Sequence, residues 1–179
     1  MRRVIRIATL SAVVALAIGP QSSASEADRG SRCTLRGTTG RDELVGTPDR
    51  DVICGLGGRD TIRGLGGADV LIGGSGGDSL LGGKGSDRLV GGRRPDYLNG
   101  RAGKDLALGG ASPDYVLGGR GKDVLFGGRG DEPCIGAVDH RGGDSVNGGR
   151  GTDTYDADEG DAVRGAEIQK ALCRSRPGD

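Results

Sequence analysis

Residues 73–90 read GGSGGDSLLGGKGSDRLV, two consecutive copies of one nine-residue pattern: Gly, Gly, any residue, Gly, any residue, Asp, any residue, aliphatic, any residue. Outward from this stretch the Asp recurs at the same interval as Asp42, Asp51, Asp60, Asp69, Asp78, Asp87, Asp96, Asp105, Asp114 and Asp123. A Gly stands five positions before each, from Gly37 to Gly118. The eighth position reads Leu44, Ile53, Ile62, Leu71, Leu80, Leu89, Leu98, Ala107, Val116 and Leu125. Tandem self-similarity at one short period is the mark of a solenoid. Collagen, which needs Gly at every third residue, is excluded.

Composition agrees with that reading. The 179 residues include 39 Gly but no Trp, one Phe and three Tyr, so a conventional globular core would lack its large fillers. Of those glycines 34 lie between residues 37 and 151, which makes them part of the repeat rather than linker. Lys plus Arg and Asp plus Glu both number 25, leaving no bulk basic field for nucleic acid or an anionic membrane. The single histidine, His140, argues against a His-based triad or a multi-His zinc site.

The chain opens MRRVIRIATLSAVVALAIGP, with Arg2, Arg3 and Arg6 ahead of an apolar run from Ile7 to Ile18 and then small residues. Basic, apolar, then small is the order of a secretory leader, here residues 1–27 with cleavage expected after Ala24 or Ala27. The run is too short for a mature transmembrane helix. Residues 28–36 then form an N-terminal cap segment. Export makes Cys33, Cys54, Cys134 and Cys173 an even set outside the cytosol, hence two disulfides with three possible connectivities. Pairing Cys33 with Cys54 and Cys134 with Cys173 is favoured, because each bond would pin a flank to the nearer end of the array.

The tandem units GGSGGDSLL, GGKGSDRLV and GGRGKDVLF resemble the repeats-in-toxin (RTX, haemolysin-type) calcium-binding family over residues 37–156. The resemblance implies an all-β parallel β-roll, a right-handed β-solenoid with two repeat units in each coil and short terminal caps, the C-terminal one being residues 157–179. In that architecture three residues around the aliphatic form a strand and the preceding six form a turn. The eighth residue points inward and the seventh and ninth outward. The resemblance further implies several Ca²⁺ ions between stacked turns, held by Asp42, Asp51, Asp60, Asp69, Asp78, Asp87, Asp96, Asp105, Asp114 and Asp123, with Asp144 and Asp153 in two late units. Turn carbonyls of Gly73, Gly76, Gly82, Gly85, Gly118 and Gly121 would complete the sites. Oxygen-only donors suit calcium over softer metals. One aliphatic per nine residues cannot offset the ordering of a glycine-rich chain, so folding is expected to await calcium.

Departures from the pattern carry their own expectations. The first units, GTTGRDELV and GTPDRDVIC, lack the second Gly. In GGRRPDYLN and GGASPDYVL, Arg94 and Ser112 replace the fourth Gly and precede Pro95 and Pro113. A residue before proline is driven toward extended backbone, so these turns are expected to bind calcium weakly or not at all. Tyr97 and Tyr115, two units apart and so one coil apart, should be outward neighbours. Glu132 takes the Asp position of a later unit, and a three-residue insertion then places His140 in a surface loop. Ala162 to Leu172 is expected to cap the array.

The sheet after the second Asp ladder would present Val52, Cys54, Val70, Ile72, Arg88, Val90, Leu106, Leu108, Val124 and Phe126 outward. That apolar stripe suits either a protein or cell-surface partner or a covering terminal segment. No nucleophile, base and orienting group come together in the sequence, so no catalytic residue is expected. The function expected is calcium binding by a secreted roll with a structural or adhesive role. The alternative is a calcium-dependent accessory module, or a fragment, of a secreted enzyme or toxin system.

Overall fold

The computed structural model describes residues 3–6, 33–137, 143–166 and 168–169. Every described element is a strand, and every pairing between strands is parallel. Successive strands alternate between two sheets, one of nine strands and one of eight. The larger sheet takes Asp42–Val45, Thr61–Gly66, Ser79–Lys84, Tyr97–Ala102, Tyr115–Arg120, Cys134–Ala137 and Thr154–Ala157 in order. The smaller takes Leu35–Arg36, Val52–Gly57, Val70–Ser75, Arg88–Arg93, Leu106–Ala111, Val124–Arg129 and Ser145–Arg150. The fold is a parallel β-roll with two units per coil.

Strands are longer than the repeat suggests: six residues, as in Val70–Ser75, with turns of three, as in Gly76–Asp78. The expected three-residue strand and six-residue turn are corrected here. Gly74 pairs with Gly92 and Ser75 with Arg93, so the backbone re-enters the ladder after the first glycine of each unit. That first glycine, here Gly73 opposite Gly91, is passed over by the pairing.

The register advances by two units per coil, matching Leu71 to Leu89, Leu89 to Ala107 and Ala107 to Leu125. It joins the inward aliphatics of each sheet into one column, and all ten, Leu44 through Leu125, have 0% exposure. Burial of about 1.5–3 kcal/mol per aliphatic side chain is the apolar contribution of each unit. The insertion is absorbed outside the ladder, because Val124 still pairs with Ser145 and Leu125 with Val146. His140 lies outside the described residues.

At the N-terminal end Cys33 and Cys54 form a disulfide with Cα atoms 5.9 Å apart. The Thr34 N–H donates to the Val52 carbonyl at 2.7 Å. Val52 and Cys54, at this end of the apolar stripe, are buried. Farther along, Val70, Ile72, Val90, Leu106 and Leu108 are half-buried, while Val124 and Phe126 are each 38% exposed. Cys134 is disulfide-bonded, and Cys173 lies outside the described residues.

Arg3–Arg6, within the segment read as a leader, pairs with Asp42–Val45 at the end of the larger sheet. At the other end the stack continues through Ala162–Arg164 and Ile168–Gln169, so strand pairing extends beyond residue 156. No helix among the described residues is long and apolar enough to cross a membrane. Tyr97 and Tyr115 are paired neighbours on the larger sheet, as their spacing predicts.

Candidate metal centres

Each repeated Asp closes its turn and is buried, with exposures of 5% or less from Asp42 to Asp153. One carboxylate oxygen has a structural partner. Asp60 Oδ1 accepts the N–H of Asp42 at 2.8 Å, Asp78 that of Asp60 at 2.8 Å, and Asp96 that of Asp78 at 2.7 Å. The second ladder repeats this from Asp51 through Asp69, Asp87 and Asp105 to Asp123. The carboxylates therefore form the two ladders that a coil of two units predicts. From Asp60 to Asp114 they bond the backbone one coil earlier, rather than their own turn.

The other oxygen is different. Oδ2 of Asp60, Asp69, Asp78, Asp87, Asp96, Asp105 and Asp114 is buried and accepts no hydrogen bond from the protein. It faces a backbone carbonyl across the space that the first glycine of its unit leaves. A Cβ on Gly55 would stand 2.5 Å from Asp60 Oδ2 and 2.6 Å from the Gly73 carbonyl oxygen. A Cβ on Gly73 would stand 2.6 Å from Asp78 Oδ2 and 2.7 Å from the Gly91 carbonyl. On Gly91 it would meet Asp96 Oδ2 at 2.5 Å and the Gly109 carbonyl at 2.6 Å. Any side chain here would fill the cradle, which is why this position is glycine in every unit.

Two oxygens converging in a buried space without a donor are unfavourable unless a cation or proton joins them. The titration of these groups reflects this. Burial lifts Asp60 and Asp69 to about 6, against the ordinary 3.8, although each accepts a backbone N–H that opposes the rise. Burial likewise lifts Asp105 and Asp114 to about 7 and Asp96 to about 8, with like-charged neighbours adding to the rise at Asp96 and Asp105. Asp78 and Asp87 are raised by the same cause. A hard cation with oxygen donors answers both demands, and calcium accepts carboxylate and carbonyl oxygens together. Among the described residues no three His, Cys, Asp or Glu side chains gather at one point. An ion here would draw on single carboxylates and on backbone carbonyls.

Of the carbonyls named from the sequence, those of Gly73 and Gly82 lie in the cradles with Asp60 and Asp69, and that of Gly118 in the one with Asp105. The Gly85 carbonyl instead abuts Cα of Gly103 in the next coil, and Gly103 abuts Gly121 in the same way. Gly76 likewise packs against the Gly58 carbonyl of the coil before it. The fourth position is thus a stacked backbone column with no room for a side chain at those glycines.

The extended backbone expected before Pro95 and Pro113 is corrected. Arg94 and Ser112 keep positive φ, 76° and 96°, and Asp96 and Asp114 keep the ladder bond and the unpartnered Oδ2 of their neighbours. Pairing on both sides outweighs the preference that Pro95 and Pro113 impose on the preceding residue.

Two acidic positions emerge more fully than the repeat shows. Glu132 is fully buried, its N–H donates to Asp153 Oδ1 at 3.1 Å, and burial beside Asp153 pushes its carboxyl up. Asp161 extends the second ladder by accepting the Asp144 N–H at 2.9 Å. It lies 17 residues after Asp144, off the nine-residue count, and that hid it.

A family model for the RTX calcium-binding nonapeptide repeat (4 copies) matches six segments: residues 34–62, 45–80, 55–89, 81–116, 99–131 and 138–163. No curated protein and no solved structure matches the chain significantly. Repeat, roll and ladder agree with a match that spans more than half the sequence, and the chain belongs to the RTX calcium-binding nonapeptide repeat family.

Proposed function

We infer that this chain is an exported calcium-binding roll that orders when calcium reaches it, serving a structural or adhesive role rather than a catalytic one. The observation that carries the reading is the row of buried Oδ2 atoms, each facing a glycine carbonyl. Bound calcium would supply positive charge between oxygens that otherwise repel. The chain's part is to hold those oxygens in register through the Oδ1 ladder, to exclude side chains with glycine, and to seal the row beneath an aliphatic column. The leader-like start and the disulfide at Cys33 and Cys54 support export into an oxidising compartment. The half-buried stripe of Val70, Ile72, Val90, Leu106 and Leu108, running to Val124 and Phe126, supports a partner surface.

Calorimetric titration with calcium tests the reading. Several ions per chain are expected, and Asp87→Asn should lower that number. A wild-type chain that takes up no calcium would overturn it. Sedimentation of the loaded protein tests the stripe: self-association lost on Phe126→Lys supports it, whereas a monomer that captures no partner surface argues for a solitary spacer.

A further inference from the structure

The first two carboxylates of the array differ from those that follow. Asp42 Oδ2 accepts the Thr38 N–H at 2.6 Å and the Thr38 hydroxyl at 2.9 Å. Asp51 Oδ2 accepts the same pair from Thr47, at 2.6 and 2.9 Å. Thr34 Oγ1 lies 3.2 Å from Asp51 Oδ1, so both oxygens of that carboxylate have a protein donor within reach. The interior carboxylates from Asp60 to Asp114 receive nothing at Oδ2.

The cause is the residue at the second position of each unit. In the interior it has positive φ, whether Leu56 (77°), Leu65 (82°), Gly74 (107°), Gly83 (127°) or Gly92 (119°). Thr38 and Thr47 do not adopt it, because a β-branched residue is strongly disfavoured there. With the opposite sign of φ, their N–H groups point at the Asp four residues on. The glycine cradle itself persists: a Cβ on Gly37 would stand 2.8 Å from Asp42 Oδ2 and 2.7 Å from the Gly55 carbonyl. What changes is that the carboxylate already has its donors. At the far end Asp161 shows a like arrangement, its Oδ1 accepting from Asp144 and its Oδ2 from the Asp158 N–H at 2.8 Å.

We propose that Thr38 and Thr47 take the place of the cation at Asp42 and Asp51, so that the first coil, stapled by Cys33 and Cys54, is a calcium-independent seed on which the calcium-dependent coils stack. This rests on the calcium reading of the interior turns, and it removes Asp42 and Asp51 from the ligands expected from the repeat. A seed shortens the search for register, because a coil that is already closed offers its strands as templates for the next.

Calorimetry on the oxidised full chain with calcium chloride tests the assignment. The double variant Asp42→Asn/Asp51→Asn should bind as many ions as wild type, while Asp69→Asn/Asp87→Asn should bind fewer. Thr38→Gly/Thr47→Gly, which gives the first units an interior second position, should bind at least one more. An Asp42→Asn/Asp51→Asn count that falls as far as that of Asp69→Asn/Asp87→Asn, or a glycine variant that folds with an unchanged count, would overturn it. Hydrogen exchange in chelator provides a reading independent of any variant's folding. The amides of Thr38 and Thr47, whose acceptors lie within the first coil, should be protected while those of Asp87 and Asp105 exchange freely, and equal exchange overturns the seed. Were wild type to take up no calcium, the calcium reading would fail, and protection at Thr38 and Thr47 would still decide the seed.

Discussion

At the scale of single residues, the two oxygens of each interior Asp differ in what they meet. Oδ1 ties one coil to the preceding one, and Oδ2 faces the glycine carbonyl. The raised carboxyls therefore set a pH dependence for the calcium-free chain. A carboxyl whose folded value lies above its unfolded one stabilises the fold fully below the unfolded value, about 3.8 here, and that contribution is lost as pH rises through the folded values of about 6 to 8. Strand signal in chelator should be largest near pH 4 and fall toward pH 8; circular dichroism across that range checks it, and a rise with pH would contradict it. The second position yields another expectation. Arg101 is exposed with φ of 79°, a left-handed state that costs a non-glycine residue about 1–2 kcal/mol. After the entropy glycine adds to the unfolded chain, Arg101→Gly should stabilise the loaded roll by about 0.5–1 kcal/mol, measured as a higher denaturation midpoint. The repeated Asp and first Gly were legible from spacing alone. The protection of Asp42 and Asp51 was not, because it depends on which way an N–H points.

At the scale of the strand, each unit contributes one inward side chain, and no second layer lies behind it to compensate for its loss. Leu89 has 0% exposure and pairs in register with Leu71 and Ala107. Leu89→Ala should destabilise the loaded roll by about 2–5 kcal/mol. Thermal or denaturant unfolding in saturating calcium measures this; a loss below about 1 kcal/mol would mean that the column does not act as the core. The inward column followed directly from the eighth position. Strand length did not, because glycine has poor strand propensity in isolation. Stacking identical units forces those glycines into the ladder, as the pairing of Gly74 with Gly92 and Gly110 with Gly128 shows. The same stacking holds Arg94 and Ser112 at positive φ against the proline that follows each. Local preference yields where two neighbouring coils dictate the backbone.

Across the whole molecule, the roll has a thin apolar column, two rows of buried carboxylates and a disulfide at one end. The sequence showed this plan because a repeat fixes neighbours as well as residues: once two units make a coil, every contact between coils follows. Interruptions were less legible. The insertion after Ala137 leaves the ladder intact, since the Asp123 N–H still donates to Asp144 at 2.7 Å, and the stack runs on past residue 156 into Ala162–Arg164. With so little apolar surface per residue, the proposed function makes the balance between ordered and disordered chain rest on neutralising the carboxylate rows. Far-UV circular dichroism of the oxidised chain at neutral pH, recorded after thorough chelation and again as calcium is added, tests that claim most directly. Most of the strand signal should be absent in chelator and appear with calcium in a cooperative transition; a full strand spectrum in chelator, unchanged by calcium, would contradict the account.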